Sequence, residues 1–222
     1  MNLIRAVLFD LDDTLIDLRE ASFVSFNETL RRHNLRTVSF QEMLDSWHVT
    51  WREVVRSITP PGMDVDALLP IVGPEYMRRF DEIHLQYSRL LPGVRKTLSG
   101  LKRRGYLVGI VSRRTRKVLE EEMEKFRLQG FVDTIVGADE VARQKPDPAP
   151  VFLAAKRLNV DVSSCVVVGD ATSDLKAGKS AGAFAVGVLT GLQDADQLRK
   201  ENPDAIIEKI TDLAAILESL DP

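Results

Sequence analysis

Short apolar runs rich in β-branched residues recur along the chain at Leu3 to Phe9, Tyr106 to Val111, Thr134 to Val136, Cys165 to Val168 and Phe184 to Val188, each bounded by Gly, Asp or Ser. Such runs predict strands. Between them, Val94 to Arg104, Thr115 to Phe126, Pro148 to Leu158 and Asp174 to Ala181 carry apolar residues at helical spacing. Strands alternating with helices predict parallel βαβ units, and unbroken apolar strands predict a sheet covered on both faces.

One long region breaks the alternation. From Leu18 to about Arg89 no run reads as a strand, and the apolar positions form three helical stripes. The first is Phe23, Phe26 and Leu30. The second is Leu44, Trp47, Trp51, Val54 and Ile58, and the third is Met77, Phe80, Ile83, Tyr87 and Leu90, with the breaker Pro60-Pro61-Gly62 between them. This predicts a small helical domain over residues 17–89, inserted into an α/β domain made of 1–16 and 90–222, with Leu91-Pro92-Gly93 marking the return. Ala205 to Ile207 reads as a last short strand, followed by a helix through Leu220.

Composition narrows the function classes. A chain of 222 residues buries a core without disulfides, and its single cysteine, Cys165, lies in an apolar run as a small hydrophobe. A formal charge of −3 leaves no basic excess for a nucleic-acid backbone. No apolar run reaches membrane-spanning length. The stretch Ala6 to Phe9 before Asp10, Asp12 and Asp13 is too short, and too acidic at its end, for a signal peptide, so a cytoplasmic location is expected.

The candidate chemistry follows from position. In an open parallel sheet, reactive groups gather beyond the carboxyl ends of the strands, near the switch point of the topology. Asp10 and Asp12 follow the first predicted strand, Ser112 follows Val111, Lys145 lies in the loop after Thr134 to Val136, and Asp170 follows Val168-Gly169. Carboxylates, a hydroxyl and an ammonium group therefore converge. Each also has a plainer reading: Asp10 and Asp12 as turn carboxylates, Ser112 as a helix N-cap, Lys145 as a loop cation, and Asp174 as a helix-start carboxylate. His33, His48 and His84 lie apart without ligand spacing, which disfavours zinc or iron.

Asp10-Leu11-Asp12-Asp13-Thr14-Leu15, Ser112, Lys145-Pro146 and Gly169-Asp170 with Asp174 resemble the four motifs of the haloacid dehalogenase superfamily, over almost the whole chain. The paired aspartates with Thr14 are similar to its phosphatases and phosphomutases. The inserted helices resemble the cap of its phosphoglycolate phosphatase branch. The resemblance implies a Rossmann-like, doubly wound parallel sheet with a helical cap, and a Mg²⁺-dependent phosphatase. In that reading Asp10 is the nucleophile, Asp12 the general acid and base, Ser112 and Lys145 bind the phosphoryl oxygens, and Asp10, the Asp12 carbonyl, Asp170 and Asp174 serve the metal. The partner it implies is a small phosphorylated molecule such as phosphoglycolate, pyrophosphate, a nucleotide or a sugar phosphate, taken by a monomer or homodimer.

Two features depart from the family pattern. Position 13 is Asp where Gly is common, and Arg113 and Arg114 follow Ser112 where asparagine and lysine often stand. Arg113 is a candidate contact to a second anionic group on the substrate, and the cap arginines Arg19, Arg52, Arg56 and Arg89 are candidate substrate contacts. A phosphomutase sharing the same aspartyl-phosphate, or a protein that binds phosphate ligands without turnover, are the alternatives.

Overall fold

The computed structural model describes residues 3–46 and 49–220. Along the chain these are β1 (Ala6–Phe9), β2 (Ile16–Asp17), α1 (Arg19–Arg32), α2 (Phe40–Asp45), α3 (Trp51–Ile58), α4 (Val65–Tyr87), β3 (Arg89–Leu90) and α5 (Val94–Arg103). There follow β4 (Leu107–Val111), α6 (Arg116–Lys125), β5 (Thr134–Val136), α7 (Ala149–Leu158), β6 (Cys165–Gly169) and α8 (Thr172–Ala181). The chain ends with β7 (Phe184–Val188), α9 (Ala195–Arg199), β8 (Ala205–Ile207) and α10 (Leu213–Leu220). It divides into two compact units, Met1–Ile16 with Leu90–Pro222, and Asp17–Arg89.

The larger unit is built on a six-stranded sheet in the order β5-β4-β1-β6-β7-β8, every pairing parallel. Ala6, Val7, Leu8 and Phe9 of the central β1 are all wholly buried, as a strand covered on both faces requires. Alternation sends Ala6 and Leu8, with Cys165 and Val167 of β6, into a cluster under α7 and α8, where they meet Val151, Ala154, Leu158, Ala177 and Ala181. Burying side chains the size of Leu8 or Phe9 contributes about 1.5–3 kcal/mol each. The predicted first strand starts too early, because Leu3 is exposed and ladder pairing begins at Ala6.

The topology decides where a site can form. From β1 the chain moves outward to β4 and β5, then crosses back to β6 on the other side of β1 and runs outward again. Phe9 stands opposite Ile110 of β4 and Val168 of β6. The carboxyl ends of β4, β1 and β6 therefore lie side by side at the switch point, the place where open parallel sheets bind their ligands.

In the smaller unit, Phe26, Leu30, Leu35, Val38, Met43, Val55, Ile58, Leu69 and Val72 form one core. Capping boxes start α2 at Ser39 with Glu42 and α3 at Thr50 with Glu53. Asn27 pins the connection after α1 by accepting from the Val38 N–H at 2.8 Å and donating to its carbonyl at 2.9 Å. The predicted second stripe is divided between α2, which carries Leu44, and α3, which carries Trp51, Val54 and Ile58; Trp47 lies outside the described residues. The third covers only the later part of α4, which starts at Val65 and runs through Pro70 and Pro74; Leu90 belongs to β3, and Met77 is exposed.

Candidate active site

Asp10 is the first residue beyond β1, and its N–H donates to the Val168 carbonyl at 2.8 Å, carrying the strand pairing one residue further. The chain then turns sharply. Asp13 adopts a left-handed φ of 56°, its N–H donates to the Ile16 carbonyl at 2.7 Å, and its own carbonyl accepts from the Thr190 hydroxyl at 2.6 Å. A left-handed position favours glycine, with aspartate among the few side chains that tolerate it, which accounts for Asp at this place.

Lys145 is buried among acceptors. Its Nζ lies 2.6 Å from Asp10 Oδ1 and 2.5 Å from Asp174 Oδ1, and donates to the Val111 carbonyl at 2.8 Å. The loop that delivers it is braced at Glu140, which accepts from the Gly137 N–H at 2.8 Å, from Arg157 at 2.8 Å and from Arg116 at 3.1 Å. Those donors, Arg157 foremost, hold the Glu140 carboxyl down at about 2. Asp174 does two jobs: one oxygen accepts from the Ala171 N–H at 3.1 Å and caps the start of α8, and the other faces Lys145.

Asp170, one residue past β6, accepts from the Thr14 hydroxyl at 2.9 Å. Carboxylate oxygens of Asp10, Asp170 and Asp174 all lie within 4.8 Å of one another. Burial pushes the Asp10 carboxyl up to about 7, against the pull of Lys145, and Asp174 and Asp12 push it the same way. Asp170 is raised well above the carboxylate range by burial, then by Asp10 and Asp174. The same two carboxylates outweigh the cost of burial at Lys145 and hold its ammonium above the ordinary lysine value. One ammonium facing three crowded carboxylates leaves negative charge uncompensated, and a hard divalent cation fits an all-oxygen donor set of this kind. Among the described residues no histidine joins this cluster: His33 meets Glu75 and His84 Nδ1 meets the Asp81 carbonyl, while His48 lies outside the described residues.

Ser112 is buried at the end of β4. Its N–H donates to the Val136 carbonyl and its hydroxyl accepts from the Arg114 N–H, both at 3.1 Å. It is not the helix N-cap, since Thr115 holds that position for α6. Arg113 is exposed. Its neighbour Arg114, which sequence reasoning passed over, enters the site: Nε donates to Asp12 Oδ2 at 2.8 Å. Asp12 thus gives one carboxylate oxygen to Arg114, and its other oxygen is buried without a hydrogen-bond partner among the described residues. In the smaller unit, Arg19, Arg56 and Arg89 pair with Asp17, Asp66 and Glu20, while Arg52 lies over the Trp51 ring.

The profile of the family described as haloacid dehalogenase-like hydrolase matches residues 7–188. The chain belongs to that family. Among its relatives, "Pyrophosphatase PpaX" of Bacillus velezensis is 33% identical over 96% of both chains, and "Pyrophosphatase PpaX" of Bacillus pumilus is 31% identical over 96% of both. Among solved structures, a HAD family hydrolase from Deinococcus radiodurans R1 with bound phosphate and sodium superposes with a TM-score of 0.77. It is 22% identical, over 97% of this chain and 96% of that one, a likeness of fold. All four segments that resemble the family's motifs fall within the matched span and lie in the larger unit.

Proposed function

We propose that this chain, a phosphatase of the haloacid dehalogenase-like family, hydrolyses a small phosphorylated metabolite by way of a phosphoryl group carried on Asp10. The observation that supports this reading best is the three-carboxylate cluster with Lys145 buried against it at the switch point of the sheet. Relatives named pyrophosphatase make inorganic pyrophosphate the first substrate to test, ahead of phosphoglycolate and sugar phosphates.

In the first step an Asp10 carboxylate oxygen forms a bond to phosphorus while the bond to the leaving oxygen breaks, and Asp12 gives that oxygen a proton. In the second, a water forms a new bond to phosphorus, Asp12 takes its proton, and the bond to Asp10 breaks. Lys145 and Ser112 are assigned to the phosphoryl oxygens, where positioned charge matters more than covalent chemistry. Lys145 also pulls Asp10 toward its ionised form, against a burial that favours the proton. Asp10, Asp170, Asp174 and the Asp12 carbonyl would hold Mg²⁺, which supplies charge neutralisation to the phosphate.

The test is phosphate release from pyrophosphate, 4-nitrophenyl phosphate and a panel of phosphorylated metabolites, with and without Mg²⁺, by the wild type and Asp10→Asn. Release that needs Mg²⁺ and is lost in D10N supports the assignment. A folded wild type that releases phosphate from none of them overturns it.

A further inference from the structure

A general acid works only when its proton points at the departing oxygen, so whatever aims Asp12 shares in the reaction. Asp12 and Arg114 come from chain segments 102 residues apart, yet Arg114 Nε donates to Asp12 Oδ2 at 2.8 Å, with side chains 15% and 29% exposed. Arg114 is itself held. Its N–H donates to the Ser112 hydroxyl at 3.1 Å, and its carbonyl accepts from the Ala138 N–H at 2.8 Å. The side chain enters the electrostatic environment of Glu122, a wholly buried carboxyl on α6 that also feels the charge of Asp12. An arginine anchored through its backbone to the end of β4, and set close to a carboxyl of α6, fixes the direction of Asp12 better than a flexible surface cation could.

We propose that Arg114 is the positioning residue for the acid and base Asp12, holding its carboxylate by the Nε–H so that the other oxygen is free to exchange a proton with the leaving group. The assignment rests on the phosphatase reading above. It separates Arg114 from Ser112 and Lys145, whose assigned role is to bind the phosphoryl group itself.

The consequence is a dependence on leaving group. An alkoxide departs badly without a proton, whereas 4-nitrophenolate departs without one. The value of kcat/KM reports the steps up to that departure, so it is measured for glycerol 3-phosphate and for 4-nitrophenyl phosphate with the wild type, Arg114→Ala and Arg114→Lys. In R114A the alkyl-to-aryl ratio of kcat/KM is expected to fall on the order of 10²-fold, the usual worth of a positioned proton donor, and in R114K to recover roughly tenfold of that. Because both substrates meet the same preparation, a partly misfolded variant leaves the ratio unchanged. Equal losses on the two substrates, or a rise in KM alone, would make Arg114 a phosphate contact or a structural residue and overturn the proposal. A wild type that releases phosphate neither from these two compounds nor from pyrophosphate defeats the phosphatase reading, and the role of Arg114 with it; a wild type active on both with an unmoved R114A ratio, or active on pyrophosphate alone, defeats the role alone.

Discussion

Gly191 backs directly onto Asp170: a Cβ built on the glycine would stand 1.8 Å from Asp170 Oδ2. The loop carrying it is tied down on both sides, by the Thr190 hydroxyl on the Asp13 carbonyl and by Gln193 Oε1, which accepts from the Thr172 N–H at 2.6 Å. The loop is therefore poorly placed to retreat, and Gly191→Ala must displace the Asp170 carboxylate. Overpacking of this kind costs about 1–3 kcal/mol. The expected result in G191A is a modest loss of melting temperature together with Mg²⁺ affinity weakened about tenfold or more, the scale on which disturbing a ligand's surroundings acts. Titration calorimetry with Mg²⁺ on the unreacted protein measures this, and unchanged affinity would refute it.

Lys145 sits where removing one charge strands others. With its side chain only 3% exposed and its ammonium between Asp10 and Asp174, Lys145→Ala leaves buried carboxylates facing one another. Breaking a buried pair from one side costs about 3–5 kcal/mol. K145A should lose roughly that much in urea unfolding without added metal, and regain more of it on addition of Mg²⁺ than the wild type gains. Equal stabilisation of the two proteins by Mg²⁺ would show that the cation does not take over the neutralising role.

Much of this arrangement was legible in the sequence, for identifiable reasons. Asp10, Ser112 and Asp170 each follow an apolar run, and parallel topology carries such residues to one edge of the sheet whatever their separation along the chain. What stayed hidden depends on side-chain direction and local sterics. Arg113 and Arg114 are equivalent as letters; only the turn after β4 exposes the first and sends the second to Asp12. The second stripe from Leu44 to Ile58 keeps helical spacing across two helices, because Ser46 and Thr50, which end α2 and start α3, leave the spacing of the apolar positions intact. Pro70 and Pro74 disguise the first half of α4, since proline ordinarily argues against a helix interior. The strands β2 and β3, two residues each, are too short to show any alternation.

Gly73 of α4 shows packing overruling propensity. In a helix interior, glycine to alanine ordinarily stabilises by about 0.8–1 kcal/mol. Here a Cβ would meet the rigid ring of Trp51 at 2.5 Å from Cη2, in the core of the smaller unit. Overpacking at about 1–3 kcal/mol exceeds the propensity gain, so Gly73→Ala should be destabilising on balance. Thermal unfolding of G73A decides the matter, and a raised melting temperature would mean that Trp51 moves aside at little cost.

Glu122 makes stability depend on pH in a direction opposite to that of most carboxylates. Burial, and then the charge of Asp12, push its carboxyl from the ordinary 4.5 up to about 8, with Arg114 pulling the other way. Below about pH 4.5 the folded and unfolded chains both hold this proton. Between 4.5 and 8 the unfolded chain releases it while the folded chain keeps it, so stability falls as pH rises through that window and levels off above it. Glu122→Gln keeps the shape and removes the titration. The stability of E122Q relative to wild type should therefore increase from pH 5 to pH 8.5, by on the order of 2–4 kcal/mol. Comparing the two proteins cancels the titration of Asp170, which both contain and which Glu122 does not influence; Asp10, which pushes the Glu122 carboxyl up, stays part of the difference. Chemical denaturation at the two pH values measures the difference; a flat result would mean that Glu122 is ionised in the folded protein, its charge balanced by Arg114.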